Sequence, residues 1–203
     1  GNTRYVATDG DNENCGLEGY PLAEISRAII LSEPGDTIRV AAGEYIGPFN
    51  LGNETISLIG EDKETTILNG NYQDRVIYLY DNNSTLVENF TIKNTSNSYS
   101  AVMIQGASPT LKNLIIKDNT SESGNGAGIY IWTDNSDYSS PIIDNCTFDN
   151  NNAGDRGGAI YANVDSTPTI TNCTFTNNNA DNYGGAVYIE SSTLEISNST
   201  FTN

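Results

Sequence analysis

The sequence predicts an all-β solenoid, in which the chain winds into a stack of similar coils. Two series of short apolar segments recur in step along the 203 residues, and segments rich in Asn, Thr, Ser and Gly separate them. Both series repeat every 24 to 32 residues. A period of this length is typical of repeat proteins, because one coil buries its apolar face only by stacking on its neighbours.

The first series places apolar residues on both sides of an Asn. The central residues of its five copies are Asn89, Asn113, Asn145, Asn172 and Asn198. Asn tolerates left-handed backbone geometry, which suits a sharp corner between strands. Stacked Asn side chains also form hydrogen bonds along a stack, so we expect these residues to be a structural ladder.

The second series consists of strand-like segments at 76–79, 101–104, 127–131, 158–162 and 185–189. Each repeat is therefore predicted to carry two main strands joined by polar turns. Alternation along the strands predicts which side chains face the core, and like residues then stack on like residues in successive coils. The Gly-Gly pairs at 157–158 and 184–185 are expected at other corners.

Two of the three cysteines, Cys146 and Cys173, fall in one inward column of successive coils. Neighbouring parallel strands lie about 4.8 Å apart, a distance that permits a disulfide. Parallel Cβ directions instead favour stacked thiols that act as small apolar side chains. The sequence leaves both arrangements open.

A single helix is predicted near the N-terminus, over residues 21–31. Pro21 suits a first helical turn, and Leu22, Ile25 and Ile29 share one helical face. A Pro-Gly pair at 34–35 then ends the helix.

One domain is predicted, with a loop and helix over 1–36 and the coils over 37–203. The repeat period accounts for about six or seven coils. Residues 199–203 complete a strand with no visible cap, which would leave an open edge. We therefore expect further coils or a second subunit there, with the chain being a piece of a longer protein or one unit of an assembly.

The coils resemble the right-handed parallel β-helix proteins of the pectate-lyase-like superfamily. The opening segments 5–11, 21–25 and 34–45 look like the N-terminal cap and first coil of secreted members. This resemblance implies a right-handed parallel β-helix whose end is covered by an amphipathic helix. Covering the end would prevent edge-to-edge aggregation.

The later coils are similar to repeats of chlamydial polymorphic outer-membrane proteins and of adhesin-like proteins from methanogens. Those repeats carry GGA(I/L/V) and FxxN tetrapeptides, which occur here at 157–160 and 184–187, and at 148–151 and 175–178. The resemblance implies a surface or secreted location and names no partner.

Charge and composition exclude several kinds of function. The net charge of −17, from 26 acidic and nine basic residues, opposes nucleic acid and anionic membrane surfaces. The chain has no His, which excludes His-dependent triads and His-based zinc sites. No apolar run is long enough to span a membrane, so membrane insertion by this segment is not expected.

The residues favour binding over catalysis by this segment, without excluding an enzyme. Lyases of the resembled superfamily use Lys or Arg as base, often with Ca²⁺, and hydrolases use clustered Asp. Lys112 and Lys117 lie close together, but no Asp pair recurs beside them in neighbouring coils. We therefore assign no catalytic residue and no required cofactor.

Two candidate sites remain. Tyr78, Tyr130, Tyr161 and Tyr188 form one outward column, which either grips sugar rings or a protein, or is covered by the loops at 118–126, 132–140 and 149–157. The second candidate is a Ca²⁺ site in the N-terminal loop, whose oxygen ligands would come from Asp9, Asp11, Asn12 and Glu13. Weaker candidates of the same kind are the pairs Asp134/Asp137 and Asp149/Asp155.

The sequence therefore predicts an extracellular, adhesin-like surface domain that binds a glycan or a protein along its side. One alternative is the N-terminal part of a carbohydrate-active enzyme, either a polysaccharide lyase or a hydrolase. Another is a structural subunit that stacks end to end into a fibre. Glycosylation sequons at Asn53, Asn83, Asn94 and Asn119 partly follow from the Asn and Thr content.

Overall fold

The computed structural model is a right-handed parallel β-helix of about six turns with one short helix near the N-terminus. It describes residues 1–52, 55–73, 75–81, 84–133 and 138–202. Strands of successive coils pair in parallel and in register, as β-helix coils require. The predicted all-β solenoid is therefore confirmed.

The elements follow one another along the chain in a repeating order. They are β1 (Thr3–Val6), α1 (Ile25–Leu31), β2 (Thr37–Val40), β3 (Gly43–Ile46), β4 (Phe49–Leu51), β5 (Ser57–Gly60), β6 (Thr66–Asn69), β7 (Ile77–Tyr80), β8 (Leu86–Glu88), β9 (Thr91–Lys93), β10 (Val102–Gln105), β11 (Thr110–Lys112), β12 (Ile115–Lys117), β13 (Thr120–Ser121), β14 (Ile129–Trp132), β15 (Ile142–Asp144), β16 (Thr147–Asp149), β17 (Asn152–Ala153), β18 (Ile160–Asn163), β19 (Thr169–Thr171), β20 (Thr174–Thr176), β21 (Asn179–Ala180), β22 (Val187–Glu190), β23 (Glu195–Ser197) and β24 (Thr200–Thr202).

These strands form four sheets that run along the stack. Sheet 1 contains β1, β2, β5, β8, β11, β15, β19 and β23. Sheet 2 contains β3, β6, β9, β12, β16, β20 and β24. Sheet 3 contains β4, β7, β10, β14, β18 and β22, and the short sheet 4 contains β13, β17 and β21.

Each residue of the Asn series forms a corner between sheet 1 and sheet 2. Asn89, Asn113, Asn145, Asn172 and Asn198 all have φ between 50° and 65°. A left-handed residue ends one strand and redirects the chain into the next. The prediction of two main strands per repeat is therefore wrong: the Asn series contributes two strands and the second series contributes the third.

The predicted ladder forms over the first three of these corners. Asn113 donates its amide to Asn89 Oδ1 at 2.7 Å, and Asn145 donates to Asn113 Oδ1 at 3.2 Å. Asn172 departs from the pattern and donates to Asp144 Oδ1 at 2.8 Å. The Asp144 carboxylate takes the place of the Asn145 amide as acceptor, because a hydrogen bond to an ionised group is the stronger one.

The helix is shorter than predicted and begins at Ile25 rather than at Pro21. Leu22 lies in extended backbone that pairs with Val6, so the segment before the helix is held by β1. The helix buries Ile25 and Ala28 against the first coil. Its position is consistent with the predicted cap over the N-terminal end.

The core is built from columns of identical or similar side chains. The rings of Phe148 and Phe175 stack with centroids 4.8 Å apart, and those of Phe175 and Phe201 stack at 4.5 Å. Burial ends at the last described coil, where Ile196 is 41% exposed and Phe201 51% exposed. An apolar column is buried only where a coil lies on both sides of it.

A second Asn ladder, which the sequence did not predict, lies inside the stack. Asn119 donates to Asn151 Oδ1 at 3.0 Å, and Asn151 donates to Asn178 Oδ1 at 2.9 Å. Each amide also donates to a carbonyl oxygen of the preceding coil, at 2.9 to 3.3 Å. Two of the three are the last residue of an FxxN tetrapeptide, so this motif encodes a buried corner.

Two cysteines stand directly after corner residues of the Asn series, and their side chains are part of the core. Cys146 and Cys173 are free, buried thiols, and burial raises the pKa of Cys146 well above its usual range. Each thiol donates to the carbonyl oxygen two residues earlier, at 3.3 Å and 3.1 Å, and Ser199 Oγ makes the same contact at 2.9 Å. Of the two arrangements considered, the structure has the stacked thiols.

The Gly-Gly pairs lie at corners, as predicted. Gly157 and Gly184 have φ of 63° and 64°, which glycine adopts without strain. A Cβ added at Gly158 would lie 2.1 Å from the carbonyl oxygen of Gly185. The first glycine therefore turns the chain, and the second allows two coils to approach.

We expect Asn151→Ala to lower the free energy of unfolding by about 3 kcal/mol, because it leaves several buried hydrogen-bonding groups without partners. Urea denaturation followed by circular dichroism measures the change. The matched control is the neighbouring exposed residue, and Asn152→Ala should change stability by less than about 0.5 kcal/mol. Equal losses in the two variants would show that the buried ladder contributes nothing of its own.

The corner conformation of Asn113 is tested by comparing Asn113→Gly with Asn113→Ala. Both variants remove the amide hydrogen bonds, but only Ala must force a Cβ into left-handed geometry. We expect the Ala variant to be less stable than the Gly variant by about 1 kcal/mol. If the Ala variant were as stable as the Gly variant or more stable, the left-handed backbone at this corner would not be what Asn113 is needed for.

Thiol reactivity should distinguish the three cysteines. Cys15 is exposed, whereas Cys146 and Cys173 are buried. Ellman's reagent must reach the sulfur atom, so the native protein should react at Cys15 and at the other two cysteines only after unfolding. Cys15→Ser is the control and should remove the fast reaction. Rapid labelling of the buried pair in that variant would contradict this assignment.

Candidate functional site

The predicted Tyr residues lie on the outer surface of sheet 3. In-register pairing places Tyr78, Met103, Tyr130, Tyr161 and Tyr188 in one column, as the sequence predicted. A second outward column lies two residues further along each strand. We call the two columns together the aromatic face, and the second column consists of Tyr80, Gln105, Trp132, Asn163 and Glu190.

The rings of the aromatic face contact one another across the coils. The ring of Tyr78 stacks on that of Trp132 with centroids 6.3 Å apart, and Tyr130 contacts Trp132 at 5.0 Å. The ring of Tyr130 meets that of Tyr161 edge to face at 5.1 Å, and Tyr161 stacks on Tyr188 at 5.9 Å. The result is a chain of ring contacts that runs from β7 to β22.

These rings are less exposed than an isolated outward column would be. Tyr161 is 3% exposed and Met103 is 7% exposed, whereas Tyr78, Tyr130 and Tyr188 are partly buried. Neither alternative from the sequence describes the whole column, because its ends are open and Tyr161 is covered. Rings packed in this way are held rigidly, and those of Tyr78, Tyr130 and Tyr188 still present an edge or a face to solvent.

Polar groups lie among the rings. The Tyr78 hydroxyl donates to Gln105 Oε1, and the Tyr161 hydroxyl donates to Glu190 Oε2 at 2.6 Å. The hydrogen bond from Tyr161, helped by Arg156, lowers the pKa of Glu190. Burial, together with Glu190, raises the pKa of Tyr161 to about 12. At neutral pH the ionised carboxylate of Glu190 therefore lies beside the protonated phenol of Tyr161.

Two arginines lie at opposite ends of the aromatic face. The guanidinium of Arg75 lies 4.6 Å from the ring centre of Tyr78, a cation–π distance. The guanidinium of Arg156 lies 5.4 Å from the ring centre of Tyr188, and its Nη1 contacts Glu190 Oε2 at 2.9 Å. These contacts orient both side chains along the surface.

Sequence reasoning identified only one of the two columns. The missed members, Tyr80, Trp132 and Glu190, follow from the same alternation, since they stand two residues after Tyr78, Tyr130 and Tyr188. Each of them is the residue directly after the end of a predicted segment. The arginines carry no such signal, because Arg75 and Arg156 approach the face from turns outside the strands.

The N-terminal loop does not bring its candidate calcium ligands into one cluster. Asn12 Oδ1 accepts hydrogen bonds from the backbone N–H groups of Ala23 and Glu24, and Asp11 Oδ1 accepts one from Glu13. Among the residues that the structure describes, no three Asp, Glu, Cys or His side chains, Asp9 included, converge as metal ligands. Calcium binding stays a prediction.

Other sequence candidates fall in different surroundings. Asn119 is fully buried in the second ladder, which removes it as a glycosylation site. Asn53, Asn83, Asp134 and Asp137 lie outside the described residues.

None of the described helical residues forms a span with the length and hydrophobicity that a bilayer requires.

Solved structures with a similar fold include two pectin methylesterases. The enzyme from carrot is 14% identical with a TM-score of 0.52, and the match covers 98% of this chain and 84% of that one. A pectin methylesterase mutant in complex with a hexasaccharide is 10% identical with a TM-score of 0.52, and covers 87% of this chain and 66% of that one. At these identities the likeness concerns the fold alone.

Family models agree with this fold. A model described as a right handed beta helix region matches residues 56–203, and a model described as a protein of unknown function (DUF1565) matches residues 8–61. A search of curated protein sequences gave no match. Because the first model covers most of the coils, the chain belongs to the right-handed β-helix family.

Proposed function

We propose that this chain is an extracellular β-helix domain that binds a glycan along its side, with the aromatic face as its binding site. The observation that carries the proposal is the continuous row of ring contacts, at 4.8 to 6.3 Å, from Tyr78 and Tyr80 to Tyr188. The row follows the coil axis, so its ligand is expected to be elongated.

A glycan suits the chemistry of this face. The C–H groups on one side of a sugar ring form an apolar patch that stacks on an aromatic ring, while its hydroxyls donate and accept hydrogen bonds. Gln105, Asn163 and Glu190 stand in the column beside the tyrosines, within the same surface. Apolar surface with a few polar groups is the usual composition of a small-molecule site.

The rigidity of the face also supports binding. The rings of Tyr130 and Trp132 are held against each other, and Tyr161 is fixed by its hydrogen bond to Glu190. Side chains that are already ordered lose little conformational entropy when a ligand arrives. A protein ligand is the other partner that the sequence predicted, and the experiment below separates it from a glycan.

A carbohydrate-active enzyme is the second candidate function. It is favoured by Glu190, an ionised carboxylate that contacts the Tyr161 hydroxyl at 2.6 Å and Arg156 at 2.9 Å. An ionised carboxylate has the charge state that a nucleophile needs. The solved pectin methylesterases are enzymes by name, and this likeness makes catalysis worth assaying.

The proposed location follows from the glycan site, and the proposed assembly follows from the exposed last coil. Secretion or surface display fits a domain that carries a glycan site on its side. Further coils or a second subunit at the C-terminal end would cover Ile196 and Phe201, which are half-exposed. End-to-end stacking into a fibre is a separate possibility that size-exclusion chromatography over a concentration series distinguishes.

We expect Trp132→Ala to weaken glycan binding at least tenfold, because one stacked ring of the face is worth about 1.4 kcal/mol or more. A glycan array followed by isothermal titration calorimetry with the best oligosaccharide measures the change. Tyr138→Ala is the matched control, since that ring is 72% exposed and lies off the face. Circular dichroism confirms that both variants fold.

Three outcomes decide against the proposal. Equal binding by Trp132→Ala and the wild type would remove the aromatic face as the site. Capture of a protein with no glycan binding would favour the other predicted partner. Release of reducing ends, methanol or unsaturated product, lost in Glu190→Gln, would assign the face to an enzyme.

A further inference from the structure

A polar groove runs along the outside of the corner between sheet 2 and sheet 4. It has a volume of about 540 Å³. One side is a column of left-handed corner residues, and the other is the first residue of each sheet 4 strand. We call it the amide groove, and its lining residues are Asn94, Asp118, Asn150 and Asn177 on one side, Thr120, Asn152 and Asn179 on the other, and Tyr72 at one end.

The backbone directs these side chains outward. Asn94, Asp118, Asn150 and Asn177 have φ between 54° and 60°. In three of the four coils the next residue points inward to the buried ladder of Asn119, Asn151 and Asn178, and the residue after that points outward again. The buried ladder therefore fixes the positions of the side chains that line the groove.

The groove offers both donors and acceptors to a ligand. Asn150 donates one amide proton to Asp118 Oδ1 at 2.8 Å, and Asn179 donates one to Asn152 Oδ1 at 2.8 Å. An Asn amide has two donor protons and an acceptor oxygen, so these contacts use only part of its capacity. The contacts also orient the amides in a row along the axis.

Tyr72, at the end of the groove, combines an exposed ring with an unusual backbone conformation. It is 68% exposed and has φ of 57°, a conformation that is unusual for a bulky residue. Its backbone is held there, because its N–H donates to Asn94 O at 2.8 Å and its carbonyl oxygen accepts from Ser96 Oγ at 2.6 Å. Strained residues that the surrounding structure holds in place cluster at binding sites.

We propose that the amide groove is a second carbohydrate site, which binds an uncharged oligosaccharide along the coil axis with a terminal sugar stacked on Tyr72. Sugar hydroxyls both donate and accept, as the partly used amides do. Four coils at about 4.8 Å give the groove a length of about 14 Å between its first and last corners, enough for a short oligosaccharide.

The lining argues against other ligands. Among the described residues that line the groove, Asp118 alone is charged. An anionic ligand would be repelled by its carboxylate, and no cation of the lining would compensate. A peptide strand would bury apolar side chains, and beyond Tyr72 the lining is amide, hydroxyl and carboxylate. An uncharged, hydroxyl-rich chain is the ligand that leaves fewest of these groups unpaired.

The test uses calorimetric titration of the whole chain with cellohexaose, xylohexaose and mannohexaose, and with hexagalacturonate as the charged comparison. We expect at least one neutral probe to bind. Tyr72→Ala should weaken this binding at least tenfold and Asn152→Ala about threefold or more, through loss of stacking and of one hydrogen bond. Tyr20→Ala, which removes another exposed ring, is the control.

A third variant separates this site from the aromatic face. Trp132→Ala, which weakens the aromatic face, is therefore the background for a second set of titrations. Neutral-probe binding that remains in this variant and is lost when Tyr72→Ala is added belongs to the groove. The proposal is overturned if no neutral probe binds at 10 mM, if only hexagalacturonate or a peptide binds, or if Tyr72→Ala and Asn152→Ala bind as the wild type does. Loss of binding in Trp132→Ala alone would support the aromatic face and remove the groove.

Discussion

In-register hydrogen bonding between successive coils is the interaction on which the rest of this structure depends. Every coil must turn several corners, and each corner would leave backbone or amide groups unpaired inside the stack. The ladder of Asn119, Asn151 and Asn178 pairs those groups with the same groups of the next coil. Because a ladder works only if each coil repeats the last, it fixes the register of the coils that carry these three residues.

Register has consequences for both surfaces of the coil. Inside, it stacks Phe148 on Phe175 and places thiols in one column, so the core repeats chemically as well as geometrically. Outside, the same repetition places like side chains of successive coils next to one another. A row of rings or of amides therefore forms a surface that runs along the coil axis. The aromatic face and the amide groove are therefore products of the constraint that stabilises the fold.

The sequence was informative about residues whose role is repeated at the same position of each coil. The Asn corners, the Gly-Gly corners and the inward columns all follow from a period and an alternation that the sequence displays. It was less informative about strand number, because an apolar run interrupted by Asn113 reads as one segment until the left-handed φ divides it. The helix start was misplaced because Leu22, which fits a helical face, is held extended by β1.

The sequence by itself determined the architecture, since stacked coils are the arrangement that buries these periodic apolar segments and pairs their backbone groups. It also determined that Tyr78, Tyr130, Tyr161 and Tyr188 share one column. Only the tertiary structure decided how much of each ring remains open and which side chains surround it. Those properties depend on neighbours such as Arg75 and Arg156, which turns outside the strands bring against the rings, and a period carries no information about such contacts.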